Sequence, residues 1–214
     1  MNSEKVVPKK LCREVYRALE DIVGPDWISE DRAIIEANSK VSVSPDVSLR
    51  KHQKDASLIP ACVVLPQSTE EVQAIVRVAA RYKVPFTLFA NGQMFSHIPK
   101  EGSICLSLKR MDKILDIDEK NLTARLQPNV DYRQLQAETM KRGLWNGGCV
   151  LATSICKLAS QWAAQGFWQT DLKFDTFNTS FISVKMVLPN GEILNTGASS
   201  VSSRPRPRRP GPAS

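Results

Sequence analysis

The chain has 214 residues, 42% hydrophobic and 24% charged, with 10 Gly and 13 Pro, which excludes wholesale disorder, a collagen repeat and a disulfide-stapled miniprotein. No apolar run approaches the roughly 20 residues of a membrane-spanning helix, and residues 1–10 are polar without a signal core, so the sequence reads as a cytoplasmic protein of one or two domains. Of the +7 formal charge, four come from Arg204, Arg206, Arg208 and Arg209, leaving +3 for the rest, and a tail so rich in Pro, Ser and Arg reads as disordered rather than as a nucleic-acid arm.

From the N-terminus, Leu11, Val15, Leu19, Ile22 and Val23 recur at helical spacing and Gly24-Pro25 stops them, so Lys9 to Val23 is predicted as an amphipathic helix. Asp26 to Leu58 is polar and poorly patterned, which predicts an irregular arm. The run from Ala61 to Leu65 predicts a buried strand. Ser68 and Glu71 then form a capping box for a helix to about Tyr82, with Val72, Ile75, Val76 and Ala79 on its buried face. Phe86 to Phe89 follows as a strand, so the stretch reads as a βαβ unit with parallel strands and a right-handed crossover. Further on, Ile104 to Leu108 is a strand, and Ile114 to Asp118 with Leu122 to Leu126 a hairpin. A helix capped by Asp131 runs to Arg142 and stops at Gly143. Finally Phe181 to Leu188 and Glu192 to Leu194 flank Asn190-Gly191, which predicts a hairpin with a type I′ turn.

Five cysteines (Cys12, Cys62, Cys105, Cys149, Cys156) make no CxxC pair, and His52 and His97 stand 45 positions apart. This gives no zinc spacing, so no metal is expected, and the thiols read as reduced core residues. The loop Ala90 to His97 leaves the carboxyl end of a parallel strand, where α/β sheets place ligands. Its small residues Ala90 and Gly92 let backbone N–H groups approach an anion. Neither GxGxxG nor a P-loop is present.

The runs PACVVLPQSTEEVQAIVRVAARYKVPFTLFANG, ICLSLKRMDKILDIDEKNLTARLQPNVDYRQLQAETMKRGL and VKMVLPNGEILNTG, in this order across Leu58 to Gly197, resemble the FAD-binding (PCMH-type) domain of the vanillyl-alcohol oxidase and p-cresol methylhydroxylase flavoprotein family. The same domain type serves glycolate oxidase and D-lactate dehydrogenase FAD subunits. The resemblance implies FAD as cofactor and a diphosphate loop over Ala90, Asn91, Gly92, Gln93, Met94, Phe95 and Ser96. It implies further flavin contacts at Ser160, Trp162, Gly166 and Val187. Against the family loop, close to RGxGxS, Phe89 replaces the Arg, Ala90 the first Gly and Met94 the Ser, while Gly92 is kept. His97 reads as an ordinary loop histidine rather than a flavin attachment point.

The fold implied is α/β (α+β): a small βαβ subdomain from about Leu58 to Leu88 beside a larger mixed, mostly antiparallel sheet with helices from Ser103 to Gly197. The domain reading is 1–57 as N-terminal helix and irregular arm, 58–197 as the FAD-binding domain and 198–214 as a disordered tail. The function implied is FAD binding within an FAD-linked oxidoreductase, truncated before its substrate domain. A small-molecule substrate is then expected only if that domain is supplied, with an electron-acceptor subunit as a further partner and no catalytic side chain assigned. The alternative is a decayed, non-catalytic flavin-fold protein acting as a subunit or interaction module.

Overall fold

The computed structural model describes residues 10–39, 59–89, 100–146, 157–158 and 181–197. Helix α1 (Arg13–Val23) buries Val15, Leu19 and Val23 at a spacing of four, and Gly24, at φ +87°, ends it with its N–H donating to the Glu20 carbonyl. A 3₁₀ turn (Pro25–Trp27) leads into strand β1 (Ile28–Ser29) and then helix α2 (Arg32–Ser39). These short elements correct the expectation of an irregular arm for residues 26–39; residues 40–58 lie outside the described residues. The reason is local capping combined with tertiary cover. Asp31 Oδ1 accepts from the Ala33 and Ile34 amides and so starts α2, and the helix is held by burying Ile35 against the sheet.

Strand β2 (Cys62–Val64) precedes helix α3 (Thr69–Arg81) and strand β3 (Phe86–Phe89). Ser68 Oγ accepts from the Glu71 amide at 3.1 Å, as the capping box requires, but the Glu71 carboxylate reaches one residue further back, to the Gln67 amide. Strand β4 (Ile104–Ser107) sits in the middle of the sheet, whose order is β1-β2-β4-β3. β2 and β3 are each parallel to β4, with Val64 and Leu88 both opposite Leu106 and Phe89 opposite Ser107, while β1 is antiparallel to β2. The division at Leu88 is therefore corrected: β4 belongs to the first sheet, between the two strands of the βαβ unit. All four β4 residues are buried, and a strand covered on both faces needs neighbours on both edges and layers above and below.

One face of this sheet, carrying Val64, Ile104 and Leu106, packs under α1 and α3 through Leu19, Val23, Ile75 and Ala79. The opposite face, carrying Val63, Cys105 and Phe89, packs under Ile35 of α2. Cys62 and Cys105 are free thiols inside these layers. Burial pushes both thiols up, Cys105 to about 12.

Strands β5 (Ile114–Asp118) and β6 (Thr123–Leu126) form an antiparallel hairpin. Its turn is fixed by Asp118, whose carboxylate accepts from the Lys120 and Asn121 amides. Helix α4 (Tyr132–Met140) starts at Asp131, whose Oδ1 accepts from the Gln134 amide at 2.7 Å. Val130, Tyr132, Leu135 and Leu158 form a second small core, with Ile114, Leu126 and Phe181 packed against it. Strands β7 (Lys185–Val187) and β8 (Ile193–Asn195) make the last hairpin. Its turn corrects the type I′ expectation. Pro189 holds φ near about −65°, the first central position of a type I turn. The Gly191 amide closes that turn onto the Leu188 carbonyl at 2.8 Å, and Gly191 alone takes positive φ, +80°. Among the described residues, fold class stands as expected: mixed helices and sheets with parallel and antiparallel pairing.

Candidate functional site

Because β2, β3 and β4 run the same way, their chain exits gather at one edge of the sheet, where the ligand crevices of α/β sheets lie. β3 ends there at Phe89, one peptide bond before Ala90, and Phe89 stands opposite Ser107, the last residue of β4. Ala90, Asn91, Gly92, Gln93, Met94, Phe95, Ser96, Ser160, Trp162 and Gly166 lie outside the described residues, as does His97. Val187 is described: it is half-buried in β7 opposite Ile193. Its hairpin is fastened along α3, where Gln73 Nε2 donates to the Gly191 carbonyl at 2.6 Å.

Several side chains that sequence reasoning did not single out converge on this carboxyl edge. Arg110 donates through Nη1 to the Leu65 carbonyl and through Nη2 to Gln67 Oε1, both at 2.9 Å, and its guanidinium lies 3.8 Å from the centroid of the Trp27 ring. It thus ties β4's exit to that of β2 and to the N-terminal segment, a stacked and bidentate use that a lysine could not reproduce. Lys109 Nζ donates to Asn38 Oδ1 at 2.7 Å. Asn38, 8% exposed, is fixed in turn, since its Nδ2 donates to the Ile34 carbonyl and its own carbonyl accepts from Cys105 Sγ. Asn129 clamps the turn after β4, its amide donating to the Met111 carbonyl at 2.8 Å and its Nδ2 to the Lys109 carbonyl at 3.4 Å.

Two polar atoms at this edge are enclosed without a partner: Ser107 Oγ and Asn129 Oδ1. An orphaned buried polar group costs about 1–3 kcal/mol, and Glu30 Oε1, Gln136 Nε2 and Asn146 Oδ1 are enclosed in the same way elsewhere among the described residues. The only sequence signal for this cluster is a buried apolar run ending in a serine. Asn38 carries none, because its role depends on a partner 71 residues away.

The model of a family described as FAD binding domain matches residues 60–197. Among curated proteins, the chain is 28% identical over 141 residues to glycolate oxidase subunit GlcD of Bacillus subtilis, covering 65% of this chain and 30% of that protein. It is 33% identical over 175 residues to 1′-carboxy-chondrochloren decarboxylase of Chondromyces crocatus, covering 77% and 32%. Among solved structures, 4-ethylphenol oxidase from Gulosibacter chungangensis superposes with a TM-score of 0.72 at 24% identity, over 97% of this chain and 40% of that one. The chain thus spans about a third of the length of the curated relatives it matches.

The edge fits the group these comparisons imply. FAD carries a diphosphate, and the edge offers an exposed cation, the Lys109 ammonium. Among the described residues, no helix is long and apolar enough to cross a membrane.

Proposed function

Because the chain belongs to the FAD-binding domain family of FAD-linked oxidoreductases, with FAD as its cofactor, we propose that the segment Ala90 to Ser96 holds the FAD diphosphate. Ser160, Trp162, Gly166 and Val187 are assigned to the rest of the flavin. The observation that carries this reading is the position of Phe89, which ends β3 at the carboxyl edge of a parallel sheet, one residue before Ala90 in the sequence. Small residues at Ala90 and Gly92 let backbone N–H groups close on phosphate oxygens. Residues 58–197 are the flavin-binding unit in this reading, flanked by 1–57 and 198–214.

When bound, FAD supplies acceptance of a hydride from the substrate. The protein's part is to bind the diphosphate, orient the ring and exclude water. The substrate belongs to the phenols or 2-hydroxy acids, and polypeptide beyond this domain supplies the contacts that choose between them. An electron-acceptor subunit completes the cycle, in line with a relative that is itself named as a subunit. A cytoplasmic setting accords with the free thiols of Cys62 and Cys105.

Titration of the purified protein with FAD, followed by quenching of flavin fluorescence, tests the site. Gly92→Val removes access to positive φ and blocks close approach. Affinity is expected to fall roughly tenfold, on the order of 1.4 kcal/mol. An unchanged dissociation constant in the variant refutes the loop assignment.

A further inference from the structure

We propose that Asn190, in the turn between β7 and β8, is a latent modification site: the native hairpin holds off its deamidation, and detachment of the hairpin from α3 releases it. Asparagine followed by glycine is the pairing most open to this reaction, because a residue without Cβ leaves its own backbone nitrogen unobstructed. The Gly191 nitrogen gives up its proton and bonds to the side-chain amide carbon of Asn190, and the bond from that carbon to Nδ2 breaks as ammonia leaves. Water then opens the cyclic imide at either carbonyl, giving aspartate or isoaspartate, with no oxidant or other reactant. The sequence holds Asn-Gly at 91–92, 146–147 and 190–191, and the last pair lies wholly within the described residues. The reaction needs no cofactor and stands whether or not the chain binds FAD.

Every group that would react is engaged within the hairpin. The nucleophile, the Gly191 amide nitrogen, donates its hydrogen to the Leu188 carbonyl at 2.8 Å. The leaving group, Asn190 Nδ2, donates to Glu192 Oε2 at 2.9 Å, and Asn190 Oδ1 accepts from the Glu192 amide at 2.9 Å. The side chain is thereby pinned onto Glu192, one residue beyond the nitrogen that would attack it. Gly191 is in turn held against α3. It is buried at φ +80° under Arg77, whose Cγ would lie 2.5 Å from an added Cβ, and its carbonyl accepts from Gln73 Nε2 at 2.6 Å. Rotation of the Gly191 peptide into an attacking position therefore requires the turn to leave α3. Asn190 itself is exposed, so water reaches the imide once one forms. The products also act back on the fold. A carboxylate at position 190 sets a like charge against Glu192 Oε2 where an N–H donor stood, and isoaspartate adds a methylene to the backbone of a tight turn, so conversion makes detachment hard to reverse.

The test is incubation of the full chain in mildly alkaline buffer, folded or in urea, with each Asn-Gly pair followed by peptide mass spectrometry and isoaspartate identified by isoaspartyl methyltransferase labelling. Asn190 is expected to convert at least about tenfold more slowly in the folded chain than in urea, because reaction in the folded chain waits on local opening. Glu192→Ala frees the side chain, and Gln73→Ala frees the turn from α3. Both should speed conversion of Asn190 several-fold in the folded chain and leave its rate in urea unchanged. The supporting result is speeding with hydrogen exchange in β4 unaltered, whereas speeding that tracks exchange in β4 reflects global unfolding and counts against the proposal. Asn190→Asp, the product made in advance, should lower the melting temperature by more than Asn190→Ser, which loses the bond to Glu192 Oε2 without adding a charge. If Asn190 in the folded chain converts within about twofold of its rate in urea, or if neither Glu192→Ala nor Gln73→Ala speeds it, the proposal is overturned.

Discussion

Leu106 in β4 and Leu115 in β5 are close in sequence and equal in chemistry, yet the first is 1% exposed and the second 50%. The contrast extends to the regions they represent. The parallel sheet has helices on both faces and a continuous core from Leu11 to Met111, so its stability comes from burial. The hairpins β5–β6 and β7–β8 keep Leu115, Leu122, Ile193 and Leu194 at the surface. They are shaped instead by turn chemistry: the Asp118 carboxylate in one, Pro189 and Gly191 in the other. The same polypeptide thus uses two means of holding strands together, and only the first tolerates no loss of volume.

The sharpest way to break this comparison is to delete the same methyl groups in both regions. Leu106→Ala is expected to cost about 2–5 kcal/mol in urea unfolding, because the cavity lies between two packed layers. Leu115→Ala should stay within about 0.5 kcal/mol, and equal losses would show that the hairpin is part of the core. Within the hairpin region, Gly197→Ala should cost about 2 kcal/mol: Gly197 sits at φ +62°, and an added Cβ would strike the Ile182 carbonyl oxygen. Gly143→Ala, at φ +69° but facing open space, should cost only about 1 kcal/mol. Hydrogen exchange of the Thr196 amide, which donates to the Val184 carbonyl, should quicken in the first variant and not in the second.

The buried thiols sharpen the comparison from the sheet's side. Cys105 is raised by burial from an ordinary value of 9.0 to about 12. Its contribution is therefore fully present below pH 9 and is lost as pH rises towards 12, since the unfolded chain ionises first. The alkaline limb of unfolding should fall by about 1.4 kcal/mol per pH unit for each such thiol, and Cys105→Ala should make it shallower. Cys12, exposed on the surface, should react with a thiol reagent in the folded state while Cys62 and Cys105 do not. A helix start gives a modest effect: Ser68→Ala removes the acceptor of the Glu71 amide and should cost about 1 kcal/mol.

The sequence alone determined those elements whose cause is local. Ser68 and Asp131 place the starts of α3 and α4, Gly24 the end of α1, and the apolar runs the strands β2, β3 and β4. The order of motifs carried the FAD-binding family. The turn at Pro189 is equally local, but its type is set by the fixed φ of the proline rather than by the Asn-Gly pair that follows it. Tertiary structure decided the rest. β4 enters between β2 and β3 because a strand apolar on both faces is most stable where both edges and both faces are covered. α2 and β1 form from a polar stretch because the sheet they cover provides the burial that their own composition lacks. The meeting of Asn38 with Lys109 needs the whole sheet to be built first, since no spacing rule reaches across 71 residues, and it is that long-range contact, rather than any motif, that fixes a cation at the carboxyl edge.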